Sequence, residues 1–292
     1  MKDKEIMEEG QVEIQERGDI YFLYRPKVGK EEAHSADDVQ RLYIILRPES
    51  GEEKQDSHSA SGSDGGHGSQ KVNIELEKPL FRLIVMGRKK LPDATQKRRS
   101  FWGFVEMVTT DAEDVKAALK GEEYETKSRG HRHSSDARGV GEGVYRILRH
   151  KASGHSHMHT HLVYKLEFPS EDEEGQPQES LNIEREGSFI IQIKNPESES
   201  GRFRGLQNKR KAVFPAHLQG QLGHVKFAPA DPPHLLNYQG CELLLISASH
   251  HIQQELGLDL QTEGGPDASC SHLLTTFGDT VSATPLLKGT WL

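Results

Sequence analysis

Four alternating histidines are the first feature of this sequence that could carry chemistry. His155, His157, His159 and His161 are spaced two residues apart, which on a β-strand puts all four on one face with neighbours about 7 Å apart. Two imidazoles at this spacing can share one metal ion, so we take the four as a candidate zinc or copper site. Such a site would also need a carboxylate or thiolate that the sequence does not identify. Surface histidines without a metal are the alternative, and no resident cofactor is predicted.

Two basic segments are the second candidate for function, and we interpret both as anion-binding. The first contains Arg88, Lys89, Lys90, Lys97, Arg98 and Arg99, and the second contains Arg202, Arg204, Lys209, Arg210 and Lys211. The whole chain carries 37 basic and 45 acidic residues, a net charge of -8, so this segregation indicates a local electropositive surface. Such a surface would concentrate a phosphorylated ligand or RNA. The alternative is that these side chains only solvate long loops.

No sequence motif fixes a reaction. The chain lacks the GxSxG, HExxH, P-loop and kinase patterns, so no catalytic residue is assigned. Its two cysteines, Cys241 and Cys270, form no CxxC pair and no disulfide framework, which is typical of a reducing compartment. No apolar run approaches roughly 18 residues, and the N-terminus is neither a signal nor a transit peptide. We expect a soluble cytoplasmic or nuclear protein that does not contact the membrane.

Short runs of β-branched and aromatic residues predict the strands that must position these groups. Strands are expected near 20–25, 41–47, 72–86, 101–109, 144–149, 161–168, 181–194 and 240–247. A helix over 112–119, capped by Thr110 or Asp111, follows the fourth strand, and a second helix that ends at Leu256 follows the eighth.

Several short segments recur in the same order along the chain. Residues 21–27 resemble 145–151, and residues 103–110 resemble 240–247. We interpret this as an internal duplication in an α+β fold of two tandem pseudo-repeated units. Each unit would be a mainly antiparallel sheet, ββββα plus a short strand, with one helix on it. A ligand site would then lie in the crevice between the units, and chance similarity between apolar strands is the alternative.

The predicted domain organisation has four parts. Residues 1–16 form a flexible acidic N-terminus, and residues 17–130 form the first unit, with a disordered Ser- and Gly-rich insertion at 49–71. Residues 131–266 form the second unit, with an acidic loop at 170–179. Residues 267–292 are a C-terminal segment that docks on the body as a strand.

The proline-containing segment 226–240 stands apart from both units. Its three prolines fix an extended path, and Asp231 before Pro232 favours a tight turn. An ordered loop of this kind is either a place for binding residues or a rigid lid on the core.

Three segments carry a resemblance to other sequences. They are GDIYFLYRPKV at 18–28, FWGFVEMV at 101–108 and KFAPADPPHLLNYQGCELLLIS at 226–247, and they resemble segments of a widespread family of uncharacterised conserved proteins of about this length. The resemblance covers nearly the whole chain outside 49–71 and implies a complete protein. It implies no activity, cofactor or catalytic residue.

The sequence leaves three functional hypotheses open. The first is a non-catalytic binding module for a phosphorylated or polyanionic ligand, held by the repeated basic segments. The second is an enzyme acting on a phosphorylated small molecule between the units, with Arg and Lys on the phosphate and His or Glu as the acid–base group. The third is a protein-interaction scaffold that uses the acidic loops and the apolar C-terminus.

Overall fold

The computed structural model describes residues 12–49, 79–93, 99–128, 130–151, 158–170, 175–198, 205–249, 252–258, 260, 272–278, 281–282 and 284–291. The strands in these stretches are β1 Val12–Pro26, β2 Val39–Pro48, β3 Phe81–Met86, β4 Ser100–Thr109, β5 Glu122–Thr126, β6 Gly130–Ser134, β7 Arg138–Lys151, β8 Met158–Phe168, β9 Glu186–Lys194, β10 Phe227–Pro229 and β11 Glu242–Ser249. The helices are α1 Ala112–Leu119, α2 Gln176–Leu181, α3 Ala216–Leu222, α4 Ile252–Leu256, α5 His272–Phe277 and α6 Thr284–Lys288. Short 3-10 turns lie at Ala36–Asp38, Asn208–Arg210 and Pro233–Asn237.

Eight of the strands close into an antiparallel β-barrel. Their order around the barrel is β1, β2, β3, β4, β11, β9, β8 and β7, and β7 pairs back with β1. Every strand pair around the barrel is antiparallel. Strand β10 extends the wall beside the end of β9, and β5 and β6 form a separate hairpin outside the barrel.

This architecture contradicts the predicted α+β fold of two tandem units. The helix over 112–119 is present and each predicted strand region contains a strand, although β3 begins only at Phe81 and β9 only at Glu186. The two sets of four strands do not form two sheets that each carry a helix. They close one barrel through the β1–β7 and β4–β11 pairs. The predicted internal duplication is therefore wrong. Each barrel strand needs an inward row of apolar residues, so short strands of one barrel resemble one another without being copies.

The barrel interior holds the main core, because alternate residues of each strand point inward. Inward side chains interlock across the barrel, as the Phe22 and Tyr164 rings do at a centroid distance of 4.9 Å. Other members of this core come from every wall strand and include Ile20, Leu42, Ile44, Ile84, Val105, Tyr145, Ile147, Leu162, Ile191, Ile193, Leu243 and Leu245. The interior is a packed core of side chains.

Two caps cover the ends of the barrel. At one end the 3-10 turn Pro233–Asn237 buries Leu235 and Leu236 in the interior core, so the proline-containing segment is a lid on the core. At the other end Leu181 of α2 and Trp291 pack into the same core, with Trp291 edge-on to Tyr24 at 5.4 Å.

Helices cover part of the outer wall. The helices α1, α5 and α6 pack on the outward side chains of β1 to β4, where Phe277 contacts Tyr21 and Phe81. Helix α4 packs its Ile252 and Leu256 on β7 and β8. The C-terminal residues thus pack against the barrel as short helices, whereas the sequence predicts a strand.

Several predicted loop regions have structure or fall outside the described residues. Residues 12–16, assigned to the flexible N-terminus, belong to β1 and pair with β7. Residues 176–179 of the predicted acidic loop lie in α2. Residues 50–71 of the predicted insertion lie outside the described residues.

Candidate functional sites

The structure describes two of the four candidate metal-binding histidines. His155 and His157 lie outside the described residues, whereas His159 and His161 lie on β8. His159 is directly opposite His150 of β7, and the His150 and His161 rings are 5.5 Å apart. Among the described residues, no group of three or more His, Cys, Asp or Glu side chains could hold a metal ion. The metal site stays a prediction.

Burial sets the protonation of this histidine cluster. His161 is 3% exposed, and its Nδ1 lies 3.0 Å from Ser188 Oγ. Burial lowers the pKa of His161 to about 3, and the neighbouring imidazoles of His150 and His159 add to this effect. Burial and then His159 also lower the pKa of His150. At neutral pH the His161 ring is therefore an uncharged part of the outer wall.

The two basic segments lie on opposite faces of β4. Lys97, Arg98, Arg202 and Arg204 lie outside the described residues. Arg88 and Arg99 flank the ring of Phe101, at 6.0 and 5.5 Å, and Phe101 belongs to the interior core. Arg210 instead lies 5.2 Å from the centre of the outward Phe104 ring. Among the described candidates, Arg88 and Arg99 therefore lie on a different face of β4 from Arg210.

The second segment lines two grooves. We call Lys209, Arg210 and Lys211 the cationic ridge; all three line the first groove, and Lys211 also lines the second. The first groove, of about 300 Å³, lies between the ridge and β4, where it is lined by Phe104 and Glu106. The second groove, of about 320 Å³, is lined by residues that include Lys211, Val213 and Phe214. Lys211 lines both grooves.

Backbone contacts fix the ridge to the barrel wall. The amide of Ala212 donates to the carbonyl of Gly240, whose own amide donates to the carbonyl of Val105. Gly240 has a φ of +82°, and a Cβ there would lie 2.0 Å from the carbonyl oxygen of Arg210. Only glycine permits this approach. The guanidinium of Arg210 is in turn held by Glu106, at 2.8 Å.

A buried ion pair anchors the chain that leads into the ridge. Lys194 Nζ lies 2.8 Å from Glu242 Oε2, and both side chains are almost fully buried on the outer wall. Glu242 Oε1 accepts hydrogen bonds from the Leu206 amide, at 2.8 Å, and from Trp102 Nε1, at 3.3 Å. Because a buried carboxylate is stable only when its lone pairs are filled, this arrangement holds residues 205–206 in place.

A third groove, which the sequence did not indicate, lies between the barrel and the β5–β6 hairpin. We call it the hairpin groove; it has a volume of about 390 Å³, and its lining includes Lys27, Gln40, Tyr124 and Arg132. Tyr124 and Arg132 are directly opposite each other in the hairpin and therefore share one face. The Tyr124 side chain is 37% exposed, so its ring is accessible from the groove.

Arg25 holds the hairpin against the barrel. Its buried guanidinium donates to Tyr43 Oη at 3.1 Å, to the carbonyl of Ser135 at 2.8 Å and to the carbonyl of Ala118 at 2.9 Å. The amide of Gly29 also donates to the carbonyl of His133, at 2.8 Å. These bonds join the end of α1, the end of β6 and the barrel, so the groove walls are fixed before any ligand arrives.

Another set of polar residues lies inside the barrel. Arg82 makes a two-point contact with Glu16, at 2.6 and 2.8 Å, and its Nε donates to Asn237 Oδ1 at 2.6 Å. Tyr145 Oη donates to Glu16 Oε1, at 2.8 Å, and burial raises the Tyr145 pKa well above its usual value. We call these four residues the interior network. They bind one another beneath the Pro233–Asn237 cap and therefore act structurally.

Comparisons with protein-family models, curated proteins and solved structures gave no match for this chain. The resemblance to a family of uncharacterised proteins therefore stays a prediction. Within the described stretches no helix has the length and apolar character needed to cross a membrane.

Proposed function

We propose that this protein binds a polyanion, with single-stranded RNA as the ligand to test, through the cationic ridge and its two grooves. The observation that carries the proposal is that three consecutive cations line one groove, and that Lys211 continues into a second groove beside it. The proposal rests on the second basic segment, because the described arginines of the two segments contact opposite faces of β4.

Charge and shape favour an extended ligand at the ridge. The Arg210 side chain is held by Phe104 and Glu106, so binding costs it little conformational entropy. Lys209 and Lys211 stand on either side of it as compact charges suited to phosphates. Val213, which is 87% exposed, adds an apolar surface beside Lys211.

We propose binding without catalysis. Glu106, the carboxylate of the first groove, is ion-paired with Arg210 and is not set up as a free general base. The two cysteines indicate a reducing compartment, so we place this activity in the cytoplasm or nucleus.

A pair of matched variants tests the ridge. The first is Lys209→Gln with Lys211→Gln, which removes two charges and keeps the Arg210–Glu106 pair. The second is Lys89→Gln with Lys90→Gln, which makes the same change in net charge in the other basic segment. Binding of a mixed single-stranded RNA pool is measured by fluorescence anisotropy across a salt series.

The ridge variant should bind more weakly. The plot of log K against log salt should also become less steep, by about 1.4 in slope, because each phosphate contact on a single strand contributes about −0.7 to that slope. The control variant should keep the slope of the unmodified protein. Equal losses in both variants would show that net charge, rather than the ridge, determines binding and would contradict the proposal.

A further inference from the structure

Gln40 lies at an irregularity in the barrel wall beside the hairpin groove. Arg25 pairs with Arg41 and Pro26 pairs with Val39, so Gln40 is an extra residue in a β-bulge of β2. A bulge turns the extra side chain away from the regular alternation of the strand. The Gln40 side chain lines the groove, and its Oε1 is buried without a hydrogen-bond partner among the described residues. Rotation of the Gln40 side chain into the groove would bring this oxygen to a ligand that supplies an N–H group, and that bond would remove the cost of leaving the oxygen unsatisfied.

The other lining residues of the hairpin groove suit a ligand that has both an aromatic base and a phosphate group. The exposed Tyr124 ring offers a stacking surface for a nucleobase, which every base can use through its π-face. Lys27 and Arg132 place two cations in the same groove, and both side chains are good phosphate donors. The carboxylates of Glu123 and Glu125 belong to the opposite face of the hairpin, because side chains alternate along β5.

The hairpin groove also has the volume of a small-molecule site, and its walls are fixed before a ligand binds. Its volume of about 390 Å³ falls in the range of small-molecule sites, about 300 to 1,000 Å³. The Arg25 hydrogen bonds fix the hairpin relative to the barrel. A ligand therefore does not need to order the two walls when it binds.

From these observations we propose that the hairpin groove binds a purine nucleoside monophosphate that carries an exocyclic amine, with AMP as the probe. The base stacks on Tyr124, its amine donates to Gln40 Oε1, and its phosphate lies between Lys27 and Arg132. This site is separate from the cationic ridge and does not depend on RNA binding there. A free nucleotide and a terminal nucleotide of RNA share the same chemistry.

Calorimetric titration with four compounds tests each part of the site. AMP has the base, the amine and the phosphate; IMP replaces the amine with an oxygen; adenosine lacks the phosphate; ribose 5-phosphate lacks the base. AMP should bind more tightly than each of the other three. Equal or tighter binding of IMP would overturn the role of Gln40 as acceptor, and no heat of AMP binding at millimolar concentration would overturn the site.

Three variants and one control assign the residues. Tyr124→Ala should weaken AMP binding by about tenfold or more, the loss expected for removal of a base-stacking ring. Arg132→Gln should weaken AMP but not adenosine, and Gln40→Leu should abolish the preference for AMP over IMP. Glu125→Gln, on the opposite hairpin face, should leave AMP binding unchanged. A loss in Glu125→Gln as large as that in Tyr124→Ala would overturn the proposal.

Two further measurements separate the alternatives. Thermal unfolding of each variant should match that of the unmodified protein, since Tyr124 and Arg132 line the groove and the Gln40 Oε1 lost in Gln40→Leu has no hydrogen-bond partner among the described residues. A short RNA that begins with 5′-phosphoadenosine is then tested for displacement of AMP from the Lys209→Gln, Lys211→Gln protein. Displacement assigns an RNA terminus as a ligand of this groove, and failure to displace AMP assigns the free nucleotide.

Discussion

The interior network and the surface grooves use the same kinds of side chain in opposite ways. Inside the barrel, Arg82, Glu16, Tyr145 and Asn237 satisfy one another at 2.6 to 2.8 Å. At the hairpin groove, by contrast, Gln40 Oε1 has no partner among the described residues. Polar groups that are satisfied within the fold contribute to its stability, whereas a buried oxygen without a hydrogen-bond partner can gain one from a ligand when its side chain turns toward the groove.

The comparison predicts that stability and binding can be changed separately. Substitutions in the interior network should lower stability and leave both binding activities unchanged in the folded protein. Substitutions in the grooves should weaken binding and leave the free energy of unfolding unchanged. Each test therefore measures unfolding and binding on the same variant.

The largest effect is expected for Arg82→Met. This change leaves the Glu16 carboxylate unpaired beneath the cap, and removal of one partner of a buried ion pair costs about 3 to 5 kcal/mol. Urea unfolding measures the loss. Arg47→Gln is the control, because Arg47 forms a half-buried surface pair with Asp19, at 3.1 Å, and should cost at most about 1 kcal/mol. Similar losses in the two variants would remove the distinction between interior and surface pairs.

The next largest effect is expected for Arg25→Lys, because Arg25 supports both the fold and the hairpin groove. A lysine cannot make the forked contacts of Arg25 to Tyr43, Ser135 and Ala118. Unsatisfied buried groups should lower the free energy of unfolding by about 1 to 3 kcal/mol. AMP binding should weaken as the hairpin loosens, while RNA binding at the ridge should not change. Parallel titrations check this, and an equal loss of RNA binding would show that the grooves are not independent.

The next effect comes from acid, through His161, and amounts to about 2 kcal/mol between pH 7.5 and pH 5. The pKa of this group is about 3 in the folded protein because of burial, against about 6.5 when unfolded. As the pH falls below about 6.5 the unfolded state takes up the proton first, so the free energy of unfolding falls by up to about 1.4 kcal/mol per pH unit until about pH 3. Above about pH 6.5 the contribution of the uncharged His161 to stability is fully present.

Urea unfolding at pH 7.5, 6 and 5 measures how steeply the free energy of unfolding falls with pH. His161→Gln should reduce it, whereas His131→Gln, in which the replaced side chain is 68% exposed on the hairpin, should not. If both variants keep the full slope, the acid sensitivity arises from other groups.

The smallest change in stability is expected for Lys209→Gln with Lys211→Gln. Surface substitutions away from structural contacts usually change the free energy of unfolding by about 0.5 kcal/mol or less. The urea midpoint should therefore stay constant although RNA affinity falls. A large drop in the midpoint would mean that these lysines support the fold.

Local sequence signals were enough to predict strands and the helix over 112–119. The fold could not be predicted from them, because it depends on pairs between strands that are distant in the sequence. The helix over 112–119 was predictable because Asp111 caps it by accepting a hydrogen bond from the Glu113 amide, a contact within three residues. The strands follow from local apolar runs. Barrel closure depends instead on the β1–β7 and β4–β11 pairs, whose register no short segment specifies.

The candidate sites follow the same rule. The cationic ridge could be found from composition, because its three cations are consecutive. The hairpin groove could not, since it depends on the Tyr124–Arg132 register and on the bulge at Gln40. Arg82 occurs in the apolar run of β3 and points inward through the alternation of the strand. Its partners there, Glu16 and Asn237, are distant in the sequence.

The closure of β4 by β11 has a consequence for how the protein is made. A ribosome releases the chain from its N-terminus, so β4 leaves the exit tunnel long before β11 is synthesised. Until then β4 presents an open edge with unpaired backbone groups, which can recruit strands of other nascent chains. Most of the barrel contacts join distant residues, and such high contact order slows folding. We therefore expect fragments that end before Glu242 to self-associate and to depend on chaperones during synthesis.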